Sequence, residues 1–212
     1  HQGVLDVETS RRVASRLPPA RPSIPNLVMR KSLLPTLALL GAVLANAVPA
    51  TAQETNFGRA VAMTAADLCV GQPVNWYGPG TVYAYPSAGS GWGDPQMLTA
   101  SDSALMDDFG RALAAEGNTL VVGAPRKHDG AGAVYVFTRG SSMAAWAQAA
   151  TIDGRSLTGG AQLGTALALI GNDLLVGAPA ESTTGVVHHF RRGASGWTLA
   201  GTIRPGGEAS TG

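Results

Sequence analysis

The sequence predicts an all-β fold of β-propeller blades, each of four antiparallel strands, with about three blades present. Three observations predict it. Phe-Gly or Leu-Gly is followed fourteen residues later by a Gly-Ala-Pro-like triplet three times: Phe57-Gly58 with Gly71-Gln72-Pro73, Phe109-Gly110 with Gly123-Ala124-Pro125, and Leu163-Gly164 with Gly177-Ala178-Pro179. The units start 52 and then 54 residues apart, a period typical of arrays whose units bury apolar faces against their neighbours. Each second anchor is then followed in phase by a glycine (Gly80, Gly132, Gly185), an aromatic and aliphatic run, and a tryptophan (Trp92, Trp146, Trp197).

The elements follow in order within a unit. The first strand (59–63, 111–115, 165–169) is alanine-rich, so its backbone can approach a neighbour closely. The second (68–71, 120–123, 174–177) is a nearly unbroken apolar run, as in a strand buried on both faces. Between them, Gly117-Asn118 and Gly171-Asn172 are two-residue hairpin signals, since both residue types tolerate positive φ; Ala65-Ala66 in the first unit lacks that chemistry. Proline ends the second strand by removing a ladder donor. The third strand (81–85, 133–137, 186–190) suits a half-buried pleated surface, and the tryptophan starts the fourth.

This pattern resembles the FG-GAP repeat, found in the β-propeller of integrin α subunits and in many secreted bacterial proteins. The resemblance covers residues 53–212, with units at 57–108, 109–162 and 163–212. It implies a propeller of about seven blades. Calcium-binding integrin-type repeats carry an Asp-x-Asp-x-Asp-Gly loop between the anchors, where this chain has room only for a two-residue turn. Calcium needs about six to eight oxygen ligands. The Glu116 and Asp173 turns offer one carboxylate apiece, and Asp102, Asp107 and Asp108 sit in spacers, so no metal or cofactor is expected.

A different segment precedes the repeats. Met29-Arg30-Lys31, an apolar stretch over 33–45 and the A-x-A site Ala50-Thr51-Ala52 make residues 29–52 a secretory signal peptide. A membrane anchor is the competing reading, but Pro35, Thr36 and Gly41 interrupt a stretch shorter than the roughly 20 residues a span needs. Residues 1–28, polar and aperiodic, read as an over-extended start or a disordered extension, with a genuine cytoplasmic extension as the alternative. From Gln53 onward, 9 Lys and Arg face 12 Asp and Glu, a balance of −3. No basic stripe is present, so nucleic acid is not an expected partner. Cys69 stands where the other units have Val121 and Leu175, and reads as a small buried apolar residue.

Catalytic patterns are thin. There is no G-x-S-x-G elbow and no H-E-x-x-H. Gly89-Ser90-Gly91-Trp92-Gly93 reads as a hairpin rather than a phosphate loop. His188 and His189 project from opposite faces of a strand and cannot chelate one metal as a pair. Surface recognition remains. In an up-and-down blade the loops joining strands two to three share a face with the spacers joining blades. That face carries Asn75, Trp76 and Tyr77; Arg126, Lys127, His128 and Asp129; and Glu181. Aromatics beside polar groups suit an extracellular protein or carbohydrate ligand, the alternative being that Trp76 and Tyr77 pack over the blade edge.

The expected function is a secreted, periplasmic or cell-surface binding domain without catalysis of its own and without a membrane span after signal cleavage. The alternative is the propeller portion of a larger secreted enzyme whose catalytic domain lies elsewhere. Remaining blades would come from further sequence or from another chain. The eleven residues from Leu98 to Phe109 and from Ile152 to Leu163 place a further anchor at about position 214, counted from Ile203. The exported protein is expected to begin at Gln53. N-terminal sequencing of secreted material checks this, and an intact 29–52 segment on that material would show that the leader is not cleaved.

Overall fold

A computed structural model describes residues 56–73, 78–157, 160–206 and 209–211. All of them fall within the unit Ala47–Gly212. Each repeat folds into its own antiparallel sheet. The first contains β1 (Ala60–Met63), β2 (Asp67–Gln72) and β3 (Thr81–Ala88), with an outer strand split into β4 (Gly91–Trp92) and β5 (Gln96–Leu98). The split falls at Gly93-Asp94-Pro95, where proline has no N–H to give the ladder. The second sheet is β6 (Ala112–Glu116), β7 (Thr119–Ala124), β8 (Ala133–Thr138) and β9 (Ala147–Asp153). The third is β10 (Ala166–Ile170), β11 (Asp173–Ala178), β12 (Val186–Gly193) and β13 (Gly196–Ile203), with β14 (Ala209–Thr211) added at its edge. The fold is therefore all-β, in blades of four antiparallel strands, with helix confined to two short turns among the described residues. Neither is long and apolar enough to cross a membrane.

The hairpins joining first and second strands close as the turn chemistry predicts. Glu116 pairs with Thr119 across Gly117-Asn118, and Ile170 with Asp173 across Gly171-Asn172. Only the glycines take positive φ, +55° and +58°, so the pattern is type II′ and the asparagines do not need the left-handed region. The first blade, lacking glycine, still turns over two residues, Ala65-Ala66: the Thr64 amide donates to the Asp67 carbonyl at 2.9 Å, and the Thr64 hydroxyl accepts from the Ala66 and Asp67 amides at 3.2 and 3.0 Å. The asparagine side chains are engaged elsewhere. Asn118 Oδ1 accepts from Arg139 Nε and Asn172 Oδ1 from Arg192 Nε, at 3.2 and 3.1 Å. Each arginine lies over its blade's tryptophan, Trp146 or Trp197. Each also reaches back one blade, Arg139 to Asp67 at 2.5 Å and Arg192 to the Thr119 hydroxyl at 3.3 Å.

The two anchors of each repeat meet through one hydrogen bond. The amides of Gly58, Gly110 and Gly164 donate to the carbonyls of Gly71, Gly123 and Gly177, each at 3.0 Å. The donor glycines hold φ at +85°, +92° and +90°, a region a side chain resists. The alanine-rich first strand β6 runs against β1 and β10 of its neighbours, and at the anchors the backbones come closer than a side chain allows. A Cβ on Gly71 would stand 2.2 Å from the Gly110 carbonyl oxygen, and one on Gly123 2.0 Å from that of Gly164. Gly80 and Gly132 lie equally close to the Phe109 and Leu163 backbones. The Phe109 and Leu163 amides cross the seams to the carbonyls of Pro79 and Ala131, both at 3.1 Å.

Two apolar cores fill these seams. Phe109, fully buried, meets Tyr135 and Phe137 edge-on in the first, and burying such a ring contributes about 1.5–3 kcal/mol. Leu163 takes its place in the second. Cys69 is buried, and its thiol is pushed up to about 12 by burial, with Asp67 adding to the shift. The second strands are not equally covered: β7 is buried throughout, whereas Leu175 in β11 is 37% exposed. Among the described residues, only the middle sheet has a sheet against each of its faces. Gly123→Ala should therefore cost about 3 kcal/mol or more, since the sheets must part, while Gly117→Ala, in open space, should cost about 1–2 kcal/mol through its φ alone. Urea denaturation of both variants checks the order.

Candidate functional site

The loops joining second and third strands and the spacers joining blades share one face, where polar tips from the third strands hold them. The position occupied by Tyr83, Tyr135 and His188 supplies these tips, reaching a spacer in the second blade and a loop in the third, but only the last residue of β2 in the first. Tyr83 donates to Gln72 Oε1 at 2.9 Å, and Tyr135 to Asp102 Oδ1 at 2.7 Å. His188 Nε2 lies 2.6 Å from Glu181 Oε2, with Thr202 Oγ1 3.2 Å from its Nδ1. That last chain has the connectivity of an acid, base and hydroxyl relay. All three residues are buried, however, so the contact ties strand to loop and leaves little surface for a substrate.

The best-defined loop is in the second blade. Its turn α1 (Lys127–Gly130) places His128, Asp129 and Gly130 in succession at positive φ: +52°, +56° and +88°. Histidine and aspartate tolerate the left-handed region better than most residues, but a run of this kind persists only where its surroundings fix it. Lys127 does the fixing. Its ammonium is buried, 2.9 Å from Asp107 Oδ2 and 3.5 Å from Asp102 Oδ2, and it also donates to the Asp102 carbonyl. The Arg126 amide donates to the Asp107 carbonyl at 3.2 Å.

The electrostatics follow from that cluster. Burial works to raise the Asp102 carboxyl, but the Tyr135 hydroxyl and the Lys127 charge outweigh it and hold Asp102 below the usual carboxylate range. The Tyr135 hydroxyl is driven well above its ordinary value, first by burial and then by its bond to Asp102. Beside the loop, Asp153 is lowered chiefly by its hydrogen bond with Arg155. His128 Nδ1 lies 3.4 Å from Asp153 Oδ1 without hydrogen-bond geometry.

Of the residues the sequence offers for recognition, Asn75, Trp76 and Tyr77 lie outside the described residues, as do the signal segment and residues 1–28. Arg126 and Asp129 are exposed and His128 is half-buried. Lys127 and Glu181 share the face but point inward, because buried partners of opposite or complementary character claim them. Sequence reading missed the pairing of Lys127 with Asp102 and Asp107. The aspartates belong to the preceding spacer, 25 and 20 residues away, and no periodic signal links them. Among the described residues, no group of three or more His, Cys, Asp and Glu is placed to hold a metal ion.

The FG-GAP repeat family matches residues 92–137, a stretch running from the outer strand of the first blade through both anchors of the second to Phe137. The chain carries an FG-GAP repeat there, and its three antiparallel sheets are consistent with blades of a partial propeller. No curated protein matches the chain.

Asp102 gives this cluster a pH dependence with a definite sign. A carboxyl lowered in the folded state stabilises fully above its unfolded value, and that stability is lost as pH falls through the folded value. Asp102→Asn should therefore show a smaller loss of stability than the parent between about pH 5 and 2, read from denaturation midpoints. Lys127→Met, which strands Asp107 in a buried site, should cost about 3–5 kcal/mol at neutral pH.

Proposed function

We propose that this β-propeller-type repeat domain is a secreted, periplasmic or cell-surface binding module, without catalysis of its own, that takes an extracellular protein or carbohydrate ligand on its loop face. The observation that carries the reading is the loop at 126–130. A buried lysine locks its backbone while the flanking Arg126 and Asp129 remain exposed, so two residues of opposite charge are carried on a fixed stretch of main chain. A preorganised loop backbone lowers the ordering cost of binding, which favours recognition by a few side chains. Trp76 and Tyr77, on the equivalent loop of the first blade in sequence, would add aromatic surface. The signal-like segment at 29–52 supports export, and the balance of −3 from Gln53 onward argues against nucleic acid.

Screening the exported protein against extracellular proteins and glycans would supply a ligand. With that ligand, Arg126→Ala combined with Asp129→Ala should weaken affinity by about tenfold while the melting temperature stays within a degree or two of the parent. Unchanged affinity in a folded double variant would place recognition elsewhere.

A further inference from the structure

Lys127 and Asp107 lie in connecting segments, one between β7 and β8 and the other in the spacer before β6, yet their side chains are only 5% and 8% exposed. Lysine is almost never buried unless it is paired. The pair is peculiar to the second blade. Counted from the anchors, the third repeat has Glu181 in place of Lys127 and Ala161 in place of Asp107, and its four strands form without the pair.

Backbone strain gathers beside both residues. Met106 and Asp108 flank Asp107 at φ +66° and +63°, and His128 and Asp129 follow Lys127 at +52° and +56°. Such conformations persist only where surrounding contacts fix them, and here those contacts converge on one point. Lys127 Nζ is 2.9 Å from Asp107 Oδ2, which sets the nitrogen beside Cγ, one bond further on. The same oxygen accepts from the Ala104 amide at 2.7 Å. A second carboxylate oxygen, Asp102 Oδ2, stands 3.5 Å from the nitrogen, while Tyr135 holds Asp102 Oδ1 at 2.7 Å. Of the three charged side chains only that of Asp102, 49% exposed, reaches solvent. An amine, a carboxyl carbon, a proton acceptor and a donor to the carboxyl oxygen are thus held together.

We propose that Lys127 Nζ and Asp107 Cγ join in an intramolecular isopeptide bond, with the ion pair as the state that precedes it. Asp102, ionised at neutral pH, accepts one proton from the Lys127 ammonium. The freed lone pair attacks Asp107 Cγ and forms the C–N bond. Oδ2, held by the Ala104 amide, carries the negative charge of the tetrahedral intermediate. Asp102 passes its proton to Oδ1, a second proton leaves the nitrogen by the same route, and the Cγ–Oδ1 bond breaks to release water. One ammonium and one carboxylate become one amide and one water, so the step needs no oxidant, reductant or cofactor. Groups oriented in this way react as though at about 10⁵ M or more, and the product removes two desolvated charges at once. The bond closes residues 107–127 into a ring and makes the tie between the spacer and the loop at 126–130 covalent.

Mass spectrometry of the full chain, incubated folded at neutral pH and then denatured, tests this. The parent should be lighter by one water than its sequence requires. Trypsin should release a branched peptide joining residues 60–111 to 127–139, because an acylated Lys127 is not cut. Lys127→Arg and Asp107→Ala should each restore the full mass. Asp102→Asn, which keeps the amine and the target carboxyl, should remain mostly unlinked after an incubation that links the parent. A misfolded variant does not shelter the proposal, since the parent chain alone shows whether the bond exists. A folded parent that keeps its full mass after prolonged incubation, a lost water that survives in Asp107→Ala, or peptides 60–111 and 128–139 recovered separately in full yield would each overturn it. Linkage of Asp102→Asn at the parent's rate would remove Asp102 from the step.

Discussion

The hydrogen bond from the Phe-Gly or Leu-Gly glycine amide to the carbonyl of the Gly-Ala-Pro-type glycine is the constraint on which the rest of this structure depends. It fixes the thirteen-residue spacing between those glycines in all three repeats, because the intervening hairpin must return the chain to the same point. It also presents two backbones without side chains at a blade's inner edge. The next blade's glycine carbonyl approaches one of them at a distance no Cβ permits. One local bond thus serves twice, closing a hairpin and opening the slot in which the following blade docks. Such stacked units draw their stability from neighbours more than from their own interiors. The contrast between fully buried β7 and half-covered β11, nearly the same sequence in different surroundings, shows this within one chain.

Two further ties act on opposite faces. On the hairpin face, an arginine at the end of the third strand lies over tryptophan, donates to an asparagine oxygen of its own hairpin, and reaches the preceding blade. For Arg139 and Asp67 the pair is almost wholly buried, where loss of one partner is costly. On the loop face, a tyrosine or histidine tip anchors the connecting segments. The frame is therefore stiff where blades meet and variable in what its loops display. A fold of this type can change ligands without changing its packing.

Much of the blade was legible in the sequence. The strands follow from apolar runs punctuated by glycine and proline, and the two-residue hairpins from Gly117-Asn118 and Gly171-Asn172, because turn chemistry acts over two residues and is local. Burial of Cys69 followed from its equivalence to Val121. The site was less legible. Arg126, Lys127, His128 and Asp129 look like one exposed polar loop, but Lys127 turns inward toward two aspartates more than a strand's length earlier. Glu181, apparently a loop carboxylate, is claimed by His188, one of two adjacent strand histidines to which sequence reading assigned no partner.

By itself, then, the sequence determined the unit: its period, its four strands, its turns, and the glycines that any close backbone approach would require. These depend on residue type and short spacing, which repeat. Tertiary structure alone decided which polar groups face water and which arginine bridges two blades. Those outcomes depend on pairs brought together across 20 to 75 residues by blade packing, and side-chain chemistry at one position carries no record of the partner it will meet.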